Sequence, residues 1–109
     1  MKKSLAAISH QEAEVAELRA DRELAVAYLR AALESMDSPD GRGAGLLALR
    51  TVAEAHGGLG VVAAEAGISR ESLYRSLSAK GNPTLKTLLA VLKTVGLRLS
   101  VEPDRRAAA

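Results

Sequence analysis

Gly67-Ile68-Ser69-Arg70-Glu71-Ser72-Leu73-Tyr74-Arg75-Ser76-Leu77 reads as a tight turn followed by a short helix that commits little of itself to a core. Gly67 takes the positive φ that ends one helix, and the Ser69 hydroxyl accepts the free N–H groups that begin the next. Two helices therefore meet with almost no loop between them. Ile68, Leu73 and Leu77 mark a thin apolar stripe, while Ser69, Arg70, Glu71, Ser72, Tyr74 and Arg75 point elsewhere. Arg forks onto guanine, Ser and Tyr donate to phosphate oxygens, and a helix N-terminus attracts phosphate by itself. The stretch predicts a recognition helix for double-stranded DNA; an ordinary polar surface helix is the plain alternative.

The balance of charge favours the first reading. The 109 residues carry a net +2, yet residues 1–40 hold five Lys/Arg against eight Asp/Glu and residues 41–109 hold ten against five. The turn lies in the basic half, as nucleic-acid binding requires. Phe and Trp are absent and Tyr occurs twice, so the core is built from Leu, Val, Ile and Ala, a composition that favours helices. A chain of this length has room for one modest core.

Working outward from the turn, Ala63 and Ala66 in a short helix from Val61 to Ala66 allow close helix crossing before Gly67. Upstream, a helix from Ala44 to His56 carries Leu46, Leu49, Val52 and Ala53 on one face and the Arg50–Glu54 pair on another, and Gly57 and Gly58 stop it. Before that, residues 37–43 are dense in turn formers and read as a linker. Asp21 caps a helix from Arg22 to Met36 along Val26, Leu29, Leu33 and Met36. Ser9 and Glu12 have the spacing of a capping box, which suggests a helix from His10 to Ala20 inside an N-terminal arm, 1–20, that is partly helical or disordered.

Downstream, residues 78–83 form a polar loop. Thr84 caps a last helix with Leu85, Leu88, Leu89, Leu92 and Val95 as its stripe, and Gly96 ends it. Leu97, Leu99 and Val101 then alternate with Arg98, Ser100 and Glu102, as in a half-buried strand. Nothing else in the chain resembles a strand. The expected partner is the same segment of a second subunit, so Leu97, Leu99 and Val101 are expected to build a homodimer. Residues 103–109 read as a disordered tail. The expected architecture is an all-α bundle of about five helices with a helix-turn-helix domain over 21–102 and a short C-terminal strand.

Other chemistries find little support. There is no Cys, hence no disulfide framework, thiolate nucleophile or Cys-based zinc site, and His10 and His56 lack metal-ligand spacing. His56, at a helix C-terminus, is explained by the helix dipole. No Ser sits in a nucleophile elbow, no acidic pair is framed as a dyad, and the glycines at 41, 43, 45, 57, 58 and 60 lack the surroundings of a phosphate loop. The pattern points away from an enzyme and calls for no cofactor or metal. Met1-Lys2-Lys3 is not followed by a sustained apolar run, so neither a signal peptide nor a membrane span is expected, and the location is expected to be cytoplasmic.

Helix, glycine turn, recognition helix, an Asn82-Pro83-Thr84-Leu85 loop and a Leu-rich helix, in that order, resemble the lambda-repressor-like, or Xre, helix-turn-helix family. More narrowly, residues 23–33, 64–78, 81–85 and 95–101 are similar to its addiction-module antidote subgroup, the HigA-like antitoxins, so the resemblance covers about 21–103. It implies an antitoxin of a type II toxin–antitoxin module that binds a RelE/ParE-type toxin and, as a homodimer, represses its own operon at an inverted repeat. One departure stands out. Where the subgroup usually opens the first helix of the motif with Thr-Gln, this chain has Gly60 and Val61, which removes polar groups that would meet the DNA backbone.

Roles follow by position. Arg70, Glu71, Ser72 and Arg75 are expected at base edges, and Ser69 and Tyr74 at phosphates, with pairing to Arg75 as the alternative role for Glu71. Lys80 and Asn82 in the next loop can touch phosphate, while Lys86 and Lys93 read as a solvated face. Glu12, Glu14, Glu17, Asp21 and Glu23 offer a surface for a basic toxin, against the plainer reading of a solvated helix. Two other functions remain open: a stand-alone, prophage-like repressor with no toxin, and a protein-interaction module that has lost DNA binding.

Overall fold

In the computed structural model, residues 5–104 are described, and they form six helices rather than about five. These are α1 (Leu5–Ala20), α2 (Arg22–Ser35), α3 (Pro39–Ala55), α4 (Gly58–Ala66), α5 (Arg70–Ser76) and α6 (Leu85–Val95). No strand occurs among the described residues. The helices pack around one core whose fully buried side chains are Leu and Val from α1 to α6, among them Leu18, Leu29, Leu49, Val62, Leu73 and Val91. Each such side chain contributes roughly 1.5–3 kcal/mol by leaving water. No single described helix is long and apolar enough to cross a membrane; α3 and α4 together carry the length but meet at 106°.

The first helix is longer than the sequence suggests and is packed on the bundle. It begins at Leu5, four residues before Ser9, so it does not start at the expected capping box. Leu18, 1% exposed, anchors it in the core against α3 and α2. Polar contacts fix the same end: Arg19 Nε donates to Ala55 O at 3.1 Å and His56 Nε2 donates to Leu18 O at 2.9 Å. His56 is therefore a cross-helix tie, and the dipole alone does not explain it.

Asp21 does start α2, accepting from Leu24 N at 3.1 Å. The linker is shorter than expected. Pro39 takes the first position of α3, where its missing N–H and fixed φ do no harm, so only 36–38 separate the helices. Glycines 41, 43 and 45 are consequently helical. At Gly45 the reason is contact: a Cβ there would lie 2.6 Å from the Ala32 carbonyl oxygen, so α3 approaches α2 backbone to backbone.

The last helix is capped as expected by Thr84, which accepts from Thr87 N at 3.1 Å, and is closed by Gly96 with φ 79°. The buried face is rotated from the leucine stripe. Thr87, Ala90, Val91, Leu92 and Val95 are buried, whereas Leu85 and Leu89 are 63% and 42% exposed. Ala63 and Ala66 of α4 are buried, and α4 packs on α6. The expected C-terminal strand over 97–102 is irregular chain without a ladder, since no strand lies beside it among the described residues. Most of the expected disordered tail, residues 105–109, lies outside the described residues.

Candidate nucleic-acid interface

The turn that joins α4 to α5 is built by local chemistry. Gly67 adopts φ 75°, ψ 30°, the left-handed region that a β-carbon disfavours. Its N–H donates to Ala64 O at 3.2 Å and the Ile68 N–H donates to Ala63 O at 3.0 Å, the paired bonds of a Schellman cap. Two residues later Ser69, extended at φ −74°, ψ 159°, accepts from Ser72 N at 3.0 Å and starts α5. Gly67 and Ser69 thus fix the angle between the helices. On α5 only Leu73 is buried, and it reaches the core together with Leu77 just beyond the helix end.

Ser69, Arg70, Glu71, Tyr74 and Arg75 are exposed and Ser72 is half-buried. Three of them are linked. Ser69 Oγ donates to Ser72 Oγ at 3.0 Å, and Arg75 Nη2 donates to the same Ser72 oxygen at 3.4 Å. Arg75 leans on Ser72 rather than on Glu71, with which it makes no ion pair, so Glu71 keeps its carboxylate in solvent. The stem of Arg70 passes over α4: its Cδ lies 3.8 Å from where a Cβ on Gly60 would stand. Gly60 and Val61 are both exposed at the start of α4, beside that arginine.

Two cations missing from the sequence-based set stand around the same helix pair. Arg50, from α3, places its guanidinium 4.2 Å from the centre of the Tyr74 ring. This is cation–π distance, and it holds the exposed tyrosine against α3. Lys86 is more than a solvated face of α6, since its Nζ comes within 3.2 Å of a Cβ position on Gly67, directly over the turn. Neither contact is visible in local sequence, because both depend on how α3 and α6 pack. Lys93, by contrast, pairs with Glu65 of α4 at 2.8 Å in the open, an arrangement of little energetic weight.

Lys80 and Asn82 are exposed on the loop after α5. That loop is held close: a Cβ on Gly81 would overlap the Ser76 carbonyl, so only glycine fits. The acidic residues near the N-terminus divide in two. Glu14 accepts from the Tyr28 hydroxyl at 2.7 Å and Asp21 caps α2, whereas Glu12, Glu17 and Glu23 are exposed. Burial and the bond to Glu14 push the Tyr28 phenol up to about 12.

A family model described as a probable addiction module antidote protein matches residues 9–103. The chain is also similar to an uncharacterized protein of Haemophilus influenzae, 43% identical over 60 residues, which is 55% of this chain and 61% of that relative. The aligned part thus spans under two thirds of the relative's length. No solved structure matches.

Proposed function

Since this chain belongs to the family of probable addiction module antidote proteins, we propose that it is a HigA-like, Xre-type antitoxin that binds operator DNA through α4, the Gly67 turn and α5. The observation that carries the DNA reading is the state of α5. It spends one residue on the core and turns Arg70, Glu71, Tyr74 and Arg75 to solvent, with Arg50 and Lys86 drawn in beside it from α3 and α6. Seven residues with that division of labour suit the major groove, where a short helix presents side chains to base edges while neighbouring cations meet phosphates.

In this reading Arg70 and Arg75 fork onto bases, Glu71 accepts from cytosine, and Ser72 orients Arg75. Ser69, Tyr74, Lys80 and Asn82 meet the backbone, and Arg50 steadies Tyr74. Leu97, Leu99 and Val101 join two protomers, so that two α5 helices enter successive major grooves roughly 34 Å apart on an inverted repeat. The partner neutralised is a RelE/ParE-type toxin, and the complex represses its own operon. A basic toxin would meet Glu12, Glu17 and Glu23, exposed carboxylates of α1 and α2.

Gentle purification of the untagged protein from its native cells, followed by mass spectrometry, tests the antidote reading. A stoichiometric small basic toxin is the expected companion. A homodimer that arrives without one would replace the antidote by a stand-alone repressor.

A further inference from the structure

Past α6 the chain leaves the bundle in a defined direction. The Leu97 N–H donates to Leu92 O at 2.9 Å, and Arg22 Nη2 donates to Gly96 O at 3.4 Å. After that point, residues 98–103 make no hydrogen bond to another backbone group among the described residues. The segment has no regular secondary structure, and Val101 is 96% exposed. A groove of about 330 Å³ runs between it and α2, with Val26, Leu29 and Leu33 as its apolar wall and Arg30 and Glu34 as charged neighbours on the α2 side. A segment with no backbone partner beside a groove with an apolar wall is a template for another strand.

We propose that a second copy of this segment fills that place, antiparallel about a two-fold axis through Ser100, so that Arg98 of each copy faces Glu102 of the other and Leu99 faces Val101. The proposal rests on the dimer reading above and specifies its register. Period-two alternation requires that any pairing keep Leu97, Leu99 and Val101 on one face, which restricts the axis to a residue position rather than a gap between residues. With the axis at Arg98 or Glu102, like charges face each other. At Leu99, Arg98 faces Ser100 and Glu102 faces Gly96; at Val101, Glu102 faces Ser100, and Arg98 meets Asp104 only across a stretch that sets Leu99 against Pro103. Only the axis at Ser100 gives both Arg98 and Glu102 an opposite charge while also setting Leu99 against Val101 twice. Pro103 agrees with it. If Ser100 faces its own copy as a hydrogen-bonded pair, Leu97 and Pro103 fall in a non-hydrogen-bonded pair, where the missing proline N–H leaves no gap in the ladder.

Self-complementarity of this kind makes a sharp test. In Arg98→Glu both facing pairs become acidic, and in Glu102→Arg both become basic. Each variant alone should therefore weaken its own dimer by about tenfold or more, since two favourable cross-strand pairs become unfavourable. Mixing the two variants restores opposite charges at every facing pair. Residues 98 and 102 are exposed, so neither substitution enters the core. Sedimentation of each variant, of their equimolar mixture and of the wild type reads the result directly. Recovery of dimer only in the mixture supports the register. A wild-type dimer indifferent to both substitutions, or variants that do not recover on mixing, overturns the register and leaves dimerisation to another surface. A monomeric wild type overturns both.

Discussion

Leu18→Ala probes the join between α1 and the rest of the bundle. Leu18 is 1% exposed and sits where Arg19 and His56 also tie α1 to the end of α3, so the site has little freedom to collapse around a cavity. Truncating a leucine in such a place removes its transfer free energy and leaves a void, a loss of about 3 kcal/mol within the usual range of 2–5. For a domain of this size that is a large part of a total near 5–15 kcal/mol, and it lowers Tm by roughly 12 °C. Urea unfolding followed by far-ultraviolet circular dichroism measures it, with the slope m unchanged if both states keep their exposed area. Leu89→Ala is the control. That leucine is on the exposed side of α6, so its truncation should stay within about 0.5 kcal/mol. If Leu18→Ala behaved like Leu89→Ala, α1 would not be part of the folding unit and the account of the core would fail.

Other outcomes follow from single contacts. Gly45→Ala should lose about 1 kcal/mol despite alanine's better helix propensity, because its Cβ would press on the Ala32 carbonyl, whereas Gly60→Ala meets only the Arg70 stem and should gain about 0.5–1 kcal/mol; urea midpoints of opposite sign check this. Tyr28 holds its proton more tightly folded than unfolded, so its contribution is full below the ordinary value of 10.0 and is lost as pH rises from there through about 12; Tyr28→Phe should flatten that part of an alkaline stability profile, and an unchanged profile would remove the Tyr28–Glu14 bond from the account. Arg50→Ala should lose about 0.5–1 kcal/mol in the wild type and nothing once Tyr74 is already alanine, a coupling that a double-mutant cycle reads and whose absence would dissolve the cation–π contact.

The features legible in the sequence are those set within a few residues. Gly67, Ser69, Asp21, Thr84 and Gly96 each end or begin a helix where expected, because a cap is a bond between near neighbours. What escaped the sequence depends on packing at long range. Leu18 and Val15 are the large apolar residues of an otherwise polar stretch, and nothing local reveals that the core receives them. On α6 the leucines draw the eye, yet the buried face is Thr87, Ala90, Val91, Leu92 and Val95, set by how α6 packs on α4 and α3. Pro39 marks a break or a first helical turn equally well, and the close approach at Gly45 settles for the turn. Around α5 the polar residues were legible as a set, while Arg50 and Lys86 were not, since helices distant in sequence carry them there.

The central claim is that the exposed face of α5 reads DNA, and a paired titration tests it most directly. Fluorescence anisotropy would follow binding to the duplex upstream of the protein's own gene and to a scrambled duplex, at several salt concentrations, for wild type, Arg70→Ala and Arg75→Ala. The account predicts a negative log–log salt slope for the wild type and a loss of about 1–3 kcal/mol per substitution on the operator, with much less on scrambled DNA. No measurable affinity for either duplex, or equal losses on both, would contradict base reading by this helix.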